Sequence, residues 1–299
     1  MLLARLNRRV FTNDETLEAQ IEVAHFGAEP IKNGVGTWRL VDEGNQTVLS
    51  GRLPLHDMPV DNGITLGNVS VNLKDLASPG CYKLIAGIEG TPFENDWNIW
   101  IYPARVDANL QDVSVADSLN ENTLLLLEAG GKVLLLIPPA KVNGDKLGSV
   151  ALGFSTIFWN TAWTHRQAPH TLGILCDPKH PALAMFPTDC HSDWQWWYLV
   201  SRASAMILDN LQQSQRPIVQ AVDDWFTNRK LGLVFEAKLG SGKLLICSID
   251  LINNTEENPV ARQMFHSLLH YMNGDKFQPE VEVTPQQVEQ LVCNPELLV

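Results

Sequence analysis

With 299 residues, 45% of them hydrophobic, the chain is long enough for two domains with an ordinary core in each, and too apolar for intrinsic disorder. A formal charge of -12 without any basic block excludes a general nucleic-acid binder, because phosphate recognition depends on clustered Lys and Arg. No apolar run approaches the roughly eighteen residues that cross a bilayer, and MLLARLNRRVF carries too short an apolar segment, with its charges on the wrong side, for a secretory signal, so a soluble chain with no membrane partner is expected.

Residues 1–105 read as strand and turn. TLEAQIEVAHF (residues 16–26) alternates Leu17, Ala19, Ile21 and Val23 with Glu18, Gln20 and Glu22, the signature of a half-buried antiparallel strand. GTWRLVD, TVLSGRL, GNVSVNL, GCYKLIAGIEG and NDWNIWIYP follow, separated by Gly, Pro, Asn and Asp. This predicts an antiparallel β-sandwich, immunoglobulin-like, with roughly seven strands. Trp38, alternating with Leu40, is expected in its core.

A different pattern starts after IYPARVD. VSVADSLNENTLLLLEAGGKVLLLIPP reads as a short strand, a helix over about 120–129, a stop at Gly130-Gly131 and a buried strand over 133–137. LGILCD, RPIVQAVDDW, KLGLVFEAKL and GKLLICSID are strand-like, the last two joined as a hairpin at Gly240-Ser241-Gly242. NPVARQMFHSLLHYMNG (258–274) predicts an amphipathic helix closed by glycine. Residues 106–277 are therefore expected to form a three-layer α/β domain around a mixed sheet, and 278–299 a tail with one short helix in EVTPQQVEQLV.

Six of the nine tryptophans and six of the eight histidines lie between Trp159 and His270. Three segments carry aromatic and polar groups together. The first offers Trp159, Asn160, Trp163 and His165; the second, HSDWQWWYLV, offers His191, Asp193 and Trp194; the third offers Asp224 and Trp225. Sugar recognition needs that mixture, since the apolar face of a pyranose stacks on an aromatic ring while its hydroxyls require polar partners. Core packing competes as an explanation: any strand or helix through WQWWYL carries rings on both faces, and Trp196 and Trp197 are expected inside, with Trp194 balanced between core and surface.

Other chemistries are less well provided for. The histidines lack i, i+4 spacing and HEXXH is absent, so no metal is expected. The five cysteines form no CxxC pair and read as buried thiols, with a Cys176–Cys190 disulfide left open. Cys176 and His180 make a weak nucleophile–base pair, because GILCDPKH lacks the glycines of a strained elbow. Asp223-Asp224 and Glu256-Glu257 are adjacent and diverge, which does not suit two carboxylates flanking a glycosidic bond.

The segments FWN, HPALAMFPT, HSDWQWW and DDWFTNRKLG closely resemble the C-terminal region of bacterial glycoside hydrolase family 2 enzymes of the β-galactosidase type, over about residues 10–275. The resemblance implies an immunoglobulin-like sandwich followed by a flavodoxin/class I glutamine amidotransferase-like α/β domain. In that family catalysis belongs to a barrel bearing two glutamates, for which this chain has no room, so no catalytic residue is carried over. The expectation is a non-catalytic accessory region that supports such a barrel, in cis or in trans, and binds carbohydrate, with no cofactor. The alternatives are a stand-alone carbohydrate-binding protein, or a hydrolase using His191, Asp193 and Asp224 or the Cys176 thiol. An exported parent would place it in the periplasm or outside the cell.

Overall fold

A computed structural model describes residues 1–106, 110–145, 148–154, 168–253 and 257–292, and divides the chain into two compact units, Met1–Arg105 and Val106–Val299.

The first unit has eight strands: β1 (Leu2–Arg5), β2 (Val10–Thr12), β3 (Thr16–His25), β4 (Ile31–Val41), β5 (Thr47–Met58), β6 (Asp61–Asn72), β7 (Gly80–Ile88) and β8 (Glu94–Tyr102). They form a three-stranded sheet, β1-β3-β6, and a five-stranded sheet, β2-β8-β7-β4-β5. Every pairing is antiparallel except β2 with β8. The alternation in β3 sends Leu17, Ala19, Ile21 and Val23 into one core with Leu40 and Leu53 of the other sheet, while Glu18 and Gln20 stay exposed. Two sheets closed over a shared apolar layer make a β-sandwich. Strands β1 and β2 lie in the stretch weighed above only as a leader; at four and three residues they are too short to show a period. Trp38 is at the core's rim, lying across its β5 partner Gly51, where an added Cβ would come within 2.6 Å of the indole nitrogen.

The second unit contains β9 (Val113–Ala116), α1 (Glu121–Glu128), β10 (Lys132–Leu136), β11 (Thr171–Cys176), α2 (Trp196–Val200), β12 (Met206–Ile207), β13 (Val219–Asp223), β14 (Leu231–Leu239), β15 (Gly242–Cys247), α3 (Pro259–Asn273) and α4 (Pro285–Glu289). Its sheet runs β11-β13-β14-β15-β10-β9, with β12 paired to β14. Strands β9, β10 and β15 are parallel, and β14, β13 and β11 continue antiparallel. Asn120 caps α1 by accepting from the Thr123 N–H at 3.0 Å, and Gly130, at φ +86°, turns the chain into β10.

Both faces of this sheet are covered. Phe235 and Ala237 of β14 pack with Leu127 of α1 and Val288 of α4 in one core. Glu236, between them on the strand, points the other way and accepts from the Tyr271 hydroxyl of α3 at 2.7 Å, which places α3 on the opposite face. The region is thus a mixed α/β body in three layers. The stretch set apart in the sequence as a tail joins it: Val283, Val288 and Leu291 are buried in the core with α1. Among the described residues, no helix is long and apolar enough to cross a membrane.

Candidate functional site

The HSDWQWWYLV segment is a tied loop leading into α2. Asp193, 7% exposed, is the knot: its carboxylate accepts from the Thr188 hydroxyl, the Asp189 N–H, the Gln195 N–H and the Gln195 side-chain amide, each at 3.2 Å. The same amide also donates to the Pro187 carbonyl at 2.7 Å. His191 pairs with Leu175 in an isolated antiparallel bridge, and Ser192 Oγ accepts from the Ile174 N–H at 3.0 Å, so the loop is stitched to β11. Gly173 makes this approach possible. Its φ is +108°, and a Cβ there would meet Ser192 Oγ at 2.9 Å and the Phe154 carbonyl oxygen at 3.2 Å.

Burial pushes the Asp193 carboxyl up to about 6, against the hydrogen bonds from the Asp189 N–H, the Gln195 side chain and Thr188 that favour its charge. The folded value thus exceeds the ordinary 3.8 of the unfolded chain. Stability from this group is fully present below pH 3.8 and is lost as pH rises through about 6, a loss of roughly 3 kcal/mol. Urea unfolding across this window should show wild type losing stability relative to Asp193→Asn as pH rises. A difference that stays flat would mean that Asp193 ionises normally.

The three tryptophans, one in the turn before α2 and two in its first turn, separate by exposure. Trp196 is fully buried, donates from Nε1 to Thr188 Oγ1 at 2.8 Å and meets Phe186 edge-on at 5.5 Å. Trp194 and Trp197, three residues apart, share a face. They are 56% and 54% exposed and sit around Phe154, with ring centroids at 5.5 and 5.7 Å. The expectation that Trp197 is core, like Trp196, is corrected: only the ring offset from the 194/197 face can turn inward. Trp194 is on the surface. The i, i+3 spacing was the available signal; Phe154, held where Gly153 N–H donates to Thr171 Oγ1 at 2.8 Å, carried none.

Trp197 also lines a cleft of about 410 Å3 with Tyr198, Ser201, Arg202, Glu257 and Asn258. Asn258 caps α3, its Oδ1 accepting from the N–H groups of Val260 and Ala261 at 3.2 Å. Ser201 and Arg202 were not anticipated from the sequence, where Glu257 figured only in a diverging carboxylate pair and Asn258 only as the start of a helix.

The remaining expected site residues divide. Trp159, Asn160, Trp163 and His165 lie outside the described residues. His191 is exposed, with Nδ1 3.8 Å from Cys190 Sγ. Asp224 is buried and holds a turn, accepting from the Phe226 and Thr227 N–H groups at 2.8 and 3.0 Å. Asp223 is bound on both oxygens by Arg229 at 2.9 Å, and Arg229 also reaches Asp145 at 2.5 Å. Trp225, 46% exposed, lies against Phe226 at 5.7 Å.

The chemistry open to these groups is correspondingly narrow. Asp193, Asp223 and Asp224 all hold local structure. Cys176 is buried, donates to the Asp189 carbonyl at 3.3 Å and has its thiol pushed up to about 12, mainly by burial, so it is not a thiolate at neutral pH. Cys176 and Cys190 are both free thiols, although the Cys176 N–H donates to the Cys190 carbonyl across the bridge. His180 caps a 3-10 turn by accepting from the Ala182 N–H and stacks edge-on with Tyr271. No cluster of three or more His, Cys, Asp or Glu suited to a metal occurs among the described residues. The open surface, stacking rings beside hydrogen-bonding groups, is suited to binding.

Comparison with solved structures gives matches at low identity. A β-glucuronidase from glycoside hydrolase family 2 is 18% identical over 51% of this chain and 19% of its own, with a TM-score of 0.25. The Parabacteroides merdae β-glucuronidase is 14% identical over 45% of this chain and 20% of its own, at 0.23. The Pseudomonas fluorescens alkylpurine DNA glycosylase AlkC is 11% identical over 34% of this chain and 30% of its own, at 0.25. The chain thus spans less than a third of the length of each. No curated protein matches the sequence. A family model described as Domain of unknown function (DUF8488) matches residues 15–103, and one described as Domain of unknown function (DUF8487) matches residues 114–293. Since the second covers more than half of the 299 residues, the chain belongs to the DUF8487 family.

Proposed function

We propose that the chain is a non-catalytic accessory region of a family 2 glycoside hydrolase of the β-galactosidase type, supporting a catalytic barrel and contacting its glycan through Trp194 and Trp197. On this reading the sandwich is immunoglobulin-like, the three-layer body is amidotransferase-like, and the chain follows its parent enzyme in any export. The observation that carries the proposal is that Trp194 and Trp197 are each more than half exposed around a shared phenylalanine, beside hydrogen-bonding groups. Leaving such rings in water is unfavourable unless a ligand covers them, and sugar rings are chemically matched partners.

Covering roughly 100 Å2 of one ring is worth on the order of 2 kcal/mol. Trp194→Ala should therefore weaken glycan binding about tenfold or more. Intrinsic tryptophan fluorescence during titration with galacto-, cello-, manno- and xylo-oligosaccharides tests this: wild type responds to one series, and Trp194→Ala responds weakly. A wild-type protein silent to all four would remove the glycan reading.

A further inference from the structure

The cleft beside α2 pairs aromatic walls with two charged side chains that have no partner among the described residues. Arg202 is exposed, and among the described residues its guanidinium makes neither a hydrogen bond nor an ion pair; the same holds for the Glu257 carboxylate. Charged groups elsewhere are engaged with one another, as in the Arg39–Glu94 and Arg229–Asp223 pairs. Asn258, 5% exposed, has its Oδ1 committed to the α3 backbone, leaving its amide N–H groups as donors. The wall thus offers donors at Arg202 and Asn258, an acceptor at Glu257 and ring faces at Trp197 and Tyr198. Its volume of about 410 Å3 is in the range of roughly 300–1,000 Å3 usual for small-ligand sites.

One ring joins this cleft to the aromatic surface. Trp197 lines the cleft and also packs edge-on against Phe154, which it shares with Trp194.

We infer that the cleft is the end subsite of a site for a neutral oligosaccharide. One sugar ring lies on Trp197 with vicinal hydroxyls held between Arg202 and Glu257, and the next crosses to Trp194. This deepens the glycan reading above and rests on it. A neutral sugar is favoured over a uronate because Glu257 lines the same cleft and the chain carries a formal charge of -12, both repelling an added carboxylate. Hydrogen bonds from charged groups to hydroxyls are the strong kind, and a guanidinium facing a carboxylate across a diol satisfies both.

Calorimetric titration of the full chain with the same four neutral series, each from one to four residues long, and with galacturonic acid oligomers, tests the inference. In the series that binds, affinity should rise about tenfold or more from the monosaccharide to the trisaccharide. Arg202→Ala and Glu257→Gln should each weaken every length about tenfold. Trp194→Ala should abolish the gain from added length while leaving the monosaccharide unchanged. Both charged residues are exposed without side-chain partners, so circular dichroism should show the variants folded. Affinity that ignores chain length, an Arg202→Ala protein that binds like wild type, or tighter binding of galacturonic acid oligomers would overturn the inference while leaving the glycan reading intact. Failure of wild type to bind any probe would overturn both.

Discussion

Replacing Trp196 by alanine is expected to lower the free energy of unfolding by roughly 3–5 kcal/mol. The side chain is fully buried, so truncation removes both its transfer free energy and its packing against Phe186. It also takes away the indole donor to Thr188 Oγ1, a hydroxyl that itself donates to the Asp193 carboxylate, so the damage spreads into the loop that presents Trp194. Trp197→Ala, one residue away, is the control: its ring is 54% exposed, and its removal should cost no more than about 1 kcal/mol. Denaturant midpoints for the two variants check the contrast. Equal shifts would show that both rings belong to the core.

A comparable loss is expected at Asp223. Its side chain is 2% exposed and takes the Arg229 guanidinium in two parallel hydrogen bonds, with a third from the Arg229 N–H at 2.7 Å. Asp223→Ala takes the two-pronged partner from a 13%-exposed arginine, leaving it the Asp145 contact and the field of Asp224, and breaking a buried ion pair in this way costs roughly 3–5 kcal/mol. Much of that penalty belongs to the stranded arginine. Asp223→Ala combined with Arg229→Met should therefore be more stable than Asp223→Ala alone, as measured in a double-mutant cycle by urea unfolding. A double variant less stable than the single would mean that the pair acts through packing and not through charge.

The larger architecture was legible because its physics is periodic. The alternation in TLEAQIEVAHF, the uninterrupted apolar run of β10 and the helices expected over about 120–129 and 258–274 all appear where the sequence puts them. Strands β1 and β2 were missed because three or four residues contain no period, and 278–292 passed for a tail because its few apolar residues are widely spaced. In the candidate site the limit was different. Composition identified the aromatic cluster, but exposure depends on which side of α2 each ring takes, and Trp196 and Trp197 look equivalent until the helix is drawn. Asp193 and Asp224 looked available for ligands, whereas backbone donors within a few residues occupy them. Arg202 and Glu257, far apart in sequence, reach one cleft only through the fold.

On the glycan reading, Trp194 and Trp197 form a ligand surface while Trp196 holds the unit together. Its most direct test is the indole N–H spectrum of 15N-labelled protein during titration with the oligosaccharide series. The Trp194 and Trp197 signals should shift in a saturable way with one of the series, while those of the buried Trp196 and Trp100 stay in place. Unchanged Trp194 and Trp197 signals across every series, or shifts confined to the buried pair, would contradict it.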